Sequence, residues 1–282
     1  MLEILHKSIV KPNNDVSVEG QPRPNEDAIK VRETSLSLSD GAGGVGVFAA
    51  DWANYLVDSL PGSPIKNVDD LSEWIGSIWE PFYERNLERA EKDPFLLKKY
   101  ESEGSLATLC AFWFDNHTLD FMTYGDSMVF LYDRKSKSLV TQSWFHDYYR
   151  LRQSPYLLNW KDENIDPSSF CTGRWILSKD KVAIVASDSL AQFLYTYYLC
   201  ANPDTRNAVL EEIKIPSKLS DIIDKLKDCP LGSFDNVLIG LSEALKSEND
   251  DAFEQLLYAL NSNQMLERDD YSLVIVELKE HE

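Results

Sequence analysis

Four short segments of the sequence place carboxylates where a short apolar run stops. They are Asn25-Glu26-Asp27, Ser39-Asp40-Gly41-Ala42-Gly43-Gly44, Ala186-Ser187-Asp188 and Arg268-Asp269-Asp270. Strands that end in aspartate at several separate points of the chain predict acids gathered at one rim of a sheet. Oxygen ligands of this kind are the ones that Mg²⁺ and Mn²⁺ prefer. The pattern therefore predicts carboxylate chemistry with a hard divalent metal.

No other metal or nucleophile motif competes with these acids. The four histidines show no spacing suited to zinc, and no H-E-x-x-H, G-x-S-x-G or Walker-type sequence occurs. The four cysteines are widely and irregularly spaced, which predicts buried free thiols rather than a metal site. These residues are His6, His117, His146, His281, Cys110, Cys171, Cys200 and Cys229.

A glycine run follows Asp40, with Gly41, Gly43, Gly44 and Gly46 inside six residues. Glycine lets the backbone approach a ligand closely. Between a strand and a helix the run also matches G-x-G-x-x-G, which is typical of a dinucleotide site. However, Asp40 would repel a pyrophosphate, and no parallel strand ending in a ribose-binding acid follows. A metal-binding Asp-Gly turn is favoured, with the dinucleotide site and a purely structural turn left open.

Each remaining acid has an ordinary structural explanation when it is taken alone. Asp188 could cap the helix that follows it. Asp269 could be a turn acid before the last strand, and Asp126 a turn residue in Gly125-Asp126-Ser127. Their occurrence as a set is what favours a metal site.

The bulk composition indicates a chain able to bury a sizeable core. It has 282 residues, of which 43% are hydrophobic, and a formal net charge of −19. This charge disfavours nucleic acid and anionic membrane surfaces as partners. No apolar run is long enough to span a bilayer, and residues 1–7 are too short and too charged for a signal peptide. We expect one domain over 1–282, monomeric and cytoplasmic.

The order of predicted elements is typical of an α+β fold rather than βαβ alternation. Strands are predicted in the N-terminal segment, where residues 35–39 alternate polar and apolar side chains. Helices follow at 45–60 and 69–92. The next strands are separated by turn residues, which favours antiparallel hairpins. The predicted strands after residue 100 are 105–114, 119–124, 128–133, 138–142, 174–178, 182–187 and 271–278.

Two further segments lie between these strands. Segment 143–170 is irregular and rich in aromatic residues, which favours an excursion away from the core. The mostly helical stretch 190–264 fits either a partner surface or additional packing. Packing is favoured because Leu256, Leu257 and Leu260 fit a buried stripe.

Six motifs in order resemble the metal-dependent protein phosphatases, the PPM or type 2C family, in its bacterial form. The family carries Asn-x-Asp, Asp-Gly-x-Gly-Gly, Gly-Ser-x-Ala, Gly-Asp-Ser, Ala-Ser-Asp and an Asp-Asn/Asp pair before the last strand. The matching segments are Asn25-Glu26-Asp27, Asp40-Gly41-Ala42-Gly43-Gly44, Gly104-Ser105-Leu106-Ala107, Gly125-Asp126-Ser127, Ala186-Ser187-Asp188 and Asp269-Asp270. Each motif alone is weak, but six in the correct order are a specific signal.

The resemblance implies a four-layer α/β/β/α sandwich of two antiparallel sheets flanked by helices. It also implies two Mg²⁺ or Mn²⁺ ions in a cleft at one sheet edge, bridged by Asp40. The implied ligands are Asp27, Asp40, the Gly41 carbonyl, Asp188 and Asp269, with Glu26 and Asp126 as additional candidates.

The implied activity is hydrolysis of phosphoserine or phosphothreonine in proteins. In this family a hydroxide that bridges two metals attacks the phosphorus in line with the leaving group, so no phosphoenzyme intermediate is required. Arg23 is the implied guanidinium that binds the phosphate in a bidentate manner, although it lies one position closer to Asp27 than in relatives. Segment 143–170 falls where the family has a variable flap beside the active site.

Three positions depart from the family pattern. Ala42 stands where animal relatives have a histidine thought to act as general acid, which bacterial members often lack. Ser189 replaces a glycine, and Gln192 replaces an aspartate associated with a third, weaker metal. Two metals are therefore expected, and the third site is disfavoured. A regulatory or binding module that keeps the fold but turns over poorly is the alternative.

Overall fold

The chain folds into two five-stranded sheets packed face to face and covered by helices. The computed structural model describes residues 2–12, 24–143, 154–162, 164–201, 232–249 and 251–279. The strands in these residues are β1 (Leu2–Ile9), β2 (Asp27–Val31), β3 (Ser35–Asp40), β4 (Leu106–Ala107), β5 (Leu109–Asp115), β6 (Thr118–Tyr124), β7 (Met128–Asp133), β8 (Ser138–Thr141), β9 (Leu158–Asn159), β10 (Phe170–Ile176), β11 (Lys181–Ala186) and β12 (Tyr271–Leu278). The helices are α1 (Ala49–Ser59), α2 (Val68–Ala90), α3 (Pro94–Glu103), α4 (Asp188–Ala201), α5 (Phe234–Lys246) and α6 (Ala252–Ser262).

One sheet has the order β1-β12-β11-β7-β8, and the other has β10-β6-β5-β3-β2. Strands β4 and β9 form a separate short pair. Every pairing between the described strands is antiparallel. The expected four-layer α/β/β/α sandwich is therefore confirmed. A dinucleotide site on the glycine run required a parallel sheet, so that interpretation is wrong.

Successive side chains of a strand point to opposite faces of its sheet, which explains how each sheet packs against helices on one side and against the other sheet on the other. In β5, Leu109 and Ala111 pack towards α1, α2 and α3, whereas Cys110 and Phe112 lie between the sheets. The other sheet shows the same alternation and turns its outer face towards α4, α5 and α6. Because both faces of each sheet are covered, β5 and β11 are apolar over most of their length, whereas β3 buries Ser35, Ser37 and Ser39.

The chain passes from one sheet to the other between β6 and β7. The hairpin prediction is confirmed for β5–β6 and for β7–β8, but it is wrong for β6–β7, which lie in different sheets. The crossing uses Gly125, whose φ is 96° and where a Cβ would lie 2.8 Å from Thr108 Cγ2. This tight passage holds Asp126 at the edge of the sandwich.

Segment 143–170 is not wholly separate from the core, contrary to expectation. Leu158 and Trp160 are buried in the core under α1, α2 and α3. The Trp52 indole donates to the Leu158 carbonyl at 3.0 Å, and the Trp160 indole donates to Ser105 Oγ at 3.2 Å. The described part of the segment therefore returns to the core, while residues 144–153 and 163 lie outside the described residues.

The stretch 190–264 contributes packing where the structure describes it. In α6, Leu257 and Leu260 are buried and Leu256 is partly buried against the same cluster, as the packing interpretation predicts. Residues 202–231 lie outside the described part of the chain. None of the described helices is both long and apolar enough to cross a membrane.

No disulfide bond involves the cysteines that the structure describes. Cys110 is buried as expected, whereas Cys171 and Cys200 are only half-buried. Cys229 lies outside the described residues.

Candidate active site

Asp27 and Asp40 are directly opposite each other on neighbouring strands. Strand β2 begins at Asp27, β3 ends at Asp40, and the register pairs the two residues. Both side chains project from the face that carries Ile29 and Leu38, which is the face turned towards the other sheet. The β-carbons of such a pair are about 4.5–5.5 Å apart. Two carboxylates thus lie side by side where the sandwich opens.

The other predicted acids reach the same opening from separate elements. Asp188 begins α4 directly after β11, Asp126 lies at the crossing between sheets, and Asp269 lies just before β12. The predicted rule that each acid ends a strand is wrong for Asp27, which begins β2, and for Asp269, which lies just before β12. Antiparallel pairing still brings strand starts and strand ends to one rim.

A cavity of about 1020 Å³ opens at this rim. Glycine-loop residues 41–44 form part of its wall, and the described part of segment 143–170 forms another part, through Tyr156, Leu157 and Asn159. Among the residues that the structure describes, six carboxyl groups line it, belonging to Glu26, Asp40, Asp126, Asp162, Asp188 and Asp269. Asp162 has no counterpart among the predicted site residues, since nothing in its sequence surroundings separates it from a surface acid.

Asp27 is enclosed without a proper partner. The residue is only 6% exposed, and neither carboxylate oxygen makes a hydrogen bond of good geometry. Burial, and then the charge of Asp270, raise the pKa of Asp27 to about 7, while the nearby hydroxyls of Ser272 and Ser187 offset only part of the rise. A buried carboxylate in this condition calls for a cation.

The neighbouring acids show the same accumulation of negative charge. Burial and the charges of Asp27 and Asp188 hold the pKa of Asp40 well above its ordinary value. Burial and the charge of Asp126 do the same for the pKa of Asp188. The pKa of Asp126 rises to about 6 and that of Asp269 is raised, with burial the largest cause in both. A bound divalent cation would reverse these shifts.

The backbone around Asp40 is fixed on both sides. Thr108 N donates to the Asp40 carbonyl at 2.8 Å, and Asp40 N donates to Thr108 Oγ1 at 3.0 Å. The Thr108 hydroxyl also contacts Ser127 Oγ at 2.7 Å, next to Asp126. Gly41 N continues the ladder by donating to the Glu26 carbonyl at 3.1 Å. Asp40 is therefore held rigidly at the end of its strand.

The first glycines of the turn after Asp40 lie close to other atoms, and backbone atoms leave no space for a side chain at Gly41. A Cβ on Gly41 would lie 2.7 Å from the Ala49 carbonyl oxygen and 2.8 Å from that of Glu26. A Cβ on Gly43 would overlap the Glu26 carboxylate. The Gly41 carbonyl accepts from Gly43 N at 3.0 Å and keeps a second lone pair for another ligand.

Asp270 joins two parts of the site in a way that the sequence did not indicate. Its Oδ1 accepts from Lys11 N and its Oδ2 accepts from Glu26 N, both at 2.8 Å. The side chain is buried. Asp270 therefore ties the segment after β1 and the segment before β2 to the start of β12.

The departures from the family pattern lie beside these acids. The Ser189 amide donates to Asp188 Oδ1, and the Ser189 hydroxyl donates to Asp269 Oδ2 at 3.5 Å. Gln192 is half-buried one turn further along α4 and is not among the described residues that line the cavity. Arg23, the predicted phosphate ligand, lies outside the described residues.

The residues present fit a divalent metal. Within the described ranges no three His, Cys, Asp or Glu side chains are close enough to hold an ion in the arrangement shown. Drawing these carboxylates together without a cation would bring like charges into contact, which is unfavourable. The donors are all oxygens, and Asp27 offers two enclosed oxygens that lack partners. Hard cations such as Mg²⁺ and Mn²⁺ bind such a set.

The fold is that of bacterial serine/threonine phosphatases of known structure. One bacterial serine phosphatase matches with a TM-score of 0.56 at 12% identity, over 100% of both chains. The Mycobacterium tuberculosis serine/threonine phosphatase PstP/Ppp matches with a TM-score of 0.51 at 14% identity, over 99% of both chains. Stp1 from Staphylococcus aureus matches with a TM-score of 0.50 at 12% identity, over 99% of this chain and 96% of that one. No known family model and no curated protein matches the sequence.

Proposed function

We propose that this protein is a Mg²⁺- or Mn²⁺-dependent protein serine/threonine phosphatase of the PPM family. The observation that carries the proposal is the pairing of Asp27 with Asp40 at the edge of a sandwich. Bacterial serine/threonine phosphatases share this fold. The resemblance of six ordered motifs to the family supports the same conclusion.

The metal ligands proposed here come from four places in the fold. Two divalent ions, when bound, would acidify a water molecule and neutralise phosphoryl oxygens. The groups that would hold them are the carboxylates of Asp27, Asp40, Asp188 and Asp269 and the Gly41 carbonyl, with Glu26 and Asp126 beside them.

The chain's own residues give this set its rigidity. Thr108 bonds both backbone groups of Asp40, so the Asp40 carboxylate starts from a fixed backbone position. Asp188 lies in the first turn of α4, and Ala191 N bonds the carbonyl of the preceding Ser187 at 2.8 Å. Preorganised ligands of this kind lose little entropy when the reaction occurs.

The walls of the cavity support a protein substrate. Val45 is 59% exposed and Tyr156 is 53% exposed, and both line the cavity. These exposed side chains are accessible to a bound protein. They would contact the residues that flank a phosphoserine or phosphothreonine. Arg23 stays a predicted phosphate ligand.

The proposal is tested by hydrolysis of p-nitrophenyl phosphate and of a phosphothreonine peptide, with Mn²⁺ and with EDTA. Asp40→Asn is the test variant. Asp115→Asn is the matched control, because Asp115 is exposed at the end of β5 away from Thr108. Turnover that EDTA and Asp40→Asn abolish, and that Asp115→Asn keeps, is the expected result. A folded protein that binds Mn²⁺ without turnover would contradict it and favour the regulatory module.

A further inference from the structure

The three residues after β1 are held by side chains from the C-terminal part of the chain. Each of the three residues makes one hydrogen bond between its backbone and a distant side chain: the carbonyls of Val10 and Pro12 accept, and the Lys11 amide donates. These bonds are Tyr258 hydroxyl to the Val10 carbonyl at 2.9 Å, Lys11 N to Asp270 Oδ1 at 2.8 Å, and Arg268 Nε to the Pro12 carbonyl at 2.9 Å. These three hydrogen bonds hold the segment in a fixed position relative to Asp269 and Asp270.

The anchored segment directs one cation at the site. Lys11 lines the cavity, and it is the only lysine, arginine or histidine to do so among the residues that the structure describes. Its side chain is 20% exposed. Lys11 Nζ lies 3.8 Å from Asp269 Oδ1, which is longer than a charge-assisted hydrogen bond. The ammonium group therefore keeps its hydrogen-bonding capacity for another anion.

The balance of charge at the cavity creates a need for that cation. Six carboxyl groups of the described residues line the cavity, and two divalent ions would supply only four positive charges. A phosphomonoester brings further negative charge at neutral pH. Anion entry into such a site is opposed unless another positive group faces it.

We infer that Lys11 binds the phosphoryl oxygens of the substrate through Nζ. The inference rests on the proposed function and assigns to that site a residue which the sequence pattern did not indicate. If a metal bound Asp269, the Lys11 ammonium would no longer pair with that carboxylate and could contact the phosphate instead. The group acts as a point charge on a flexible stem, and the anchored backbone sets its reach.

The competing role for Lys11 is that of a counter-cation which only neutralises Asp269. The two roles differ in measurable ways. A phosphate ligand affects the binding of inorganic phosphate to the Mn²⁺-loaded protein. A pure counter-cation competes with Mn²⁺ instead, so its removal would tighten Mn²⁺ binding and leave phosphate binding unchanged.

The experiment compares Lys11→Met, Lys11→Arg and the unmodified chain by calorimetric titration. Mn²⁺ is titrated first, and inorganic phosphate is then titrated into the Mn²⁺-loaded protein. Lys98→Met is the matched control, since Lys98 is exposed on α3. Circular dichroism checks the fold of each variant. Steady-state hydrolysis of p-nitrophenyl phosphate provides the accompanying KM and kcat.

Lys11→Met is expected to weaken phosphate binding about 10- to 100-fold, the loss of one hydrogen bond to a charged group. Lys11→Arg is expected to retain part of the binding, and Lys98→Met all of it. Unchanged phosphate affinity in folded Lys11→Met would overturn the inference. If the unmodified chain hydrolyses nothing but Lys11→Met still weakens phosphate binding, the proposed function fails and the assignment of Lys11 stands.

Discussion

Asp27 and Asp40 face each other across the β2–β3 pair, with the carboxylate of Asp27 enclosed and unpartnered. The register of one strand pair thus brings two acidic side chains together. Such a pair is unfavourable by itself and becomes favourable when a divalent cation neutralises it. The stability of this fold and the proposed metal binding should therefore be coupled at these two residues.

Asp40→Asn should separate stability from metal binding. At pH 8 without metal, the amide removes an acid whose pKa burial and neighbouring charges hold well above its ordinary value. The melting temperature of the metal-free variant should then equal or exceed that of the unmodified chain. Each kcal/mol gained corresponds to about 2–4 °C for a domain of this size. Thermal melts with and without Mn²⁺ check this. A variant that is less stable without metal yet still stabilised by Mn²⁺ would contradict the assignment.

Metal-free stability should fall as the pH rises from about 4 to about 7. The pKa of Asp27 is raised to about 7 in the folded chain. A carboxyl group whose pKa is raised by folding binds its proton more tightly in the folded state. Its contribution to stability is therefore complete below the pKa of the unfolded state and is lost as the pH rises to the pKa of the folded state. Mn²⁺ competes with the same protons.

The stabilisation by Mn²⁺ should therefore be larger at pH 8 than at pH 5.5. Thermal melts at both values with a fixed excess of Mn²⁺ provide the measurement. Asp27→Asn is the control, because it removes one of several carboxyl groups with a raised pKa and should make the metal-free dependence of stability on pH less steep. An equal Mn²⁺ shift at both pH values would argue against proton-linked ligands.

Gly41→Ala should abolish metal binding, and Gly44→Ala should preserve it. The methyl group at Gly41 would press on two backbone carbonyls, whereas nothing lies within 4 Å of a Cβ at Gly44. Backbone cannot move aside as a flexible side chain can. We expect Gly41→Ala to lower the free energy of unfolding by about 1–3 kcal/mol and to remove the Mn²⁺-induced rise in melting temperature. Urea unfolding and thermal melts of both variants decide this, and equal behaviour would disprove the packing explanation.

Asp270→Ala should destabilise the protein more than Asp270→Asn. Alanine leaves the Lys11 and Glu26 amides without their acceptors, while asparagine keeps one carbonyl oxygen. Each lost partner costs about 1–3 kcal/mol when the group stays buried. Urea unfolding should rank unmodified chain, Asp270→Asn and Asp270→Ala in descending stability. Variants within experimental error of the unmodified chain would show that Asp270 does not join the two segments.

Much of the fold could be predicted because the hydrophobic patterns of the strands and helices indicate where these elements lie. Strands β7 and β12 have the predicted bounds, and α1 and α2 begin and end close to theirs. Helix α3 was missed, and segment 105–114 is two strands, β4 and β5, rather than one. Local patterns also did not show that β6 and β7 separate into different sheets, because membership of a sheet depends on distant pairing.

The acids of the site could be predicted as a set, but not their relationships. Asp27 and Asp40 were both identified from the sequence, yet only the β2–β3 register makes them neighbours. Asp270 was visible only as part of a pair, because its two amide partners lie far away along the chain. Lys11 had no local signal at all, since its place at the cavity depends on three distant side chains.

The most direct test of the central claim is a calorimetric titration of Mn²⁺ into the metal-free protein at pH 8. The variants Asp27→Asn and Asp40→Asn are titrated in the same way. The unmodified chain should bind two ions, with protons released on binding. Each variant should lose at least one of the two sites. An unmodified, folded chain that binds no Mn²⁺, or variants that bind both ions unchanged, would contradict a metal centre built on Asp27 and Asp40.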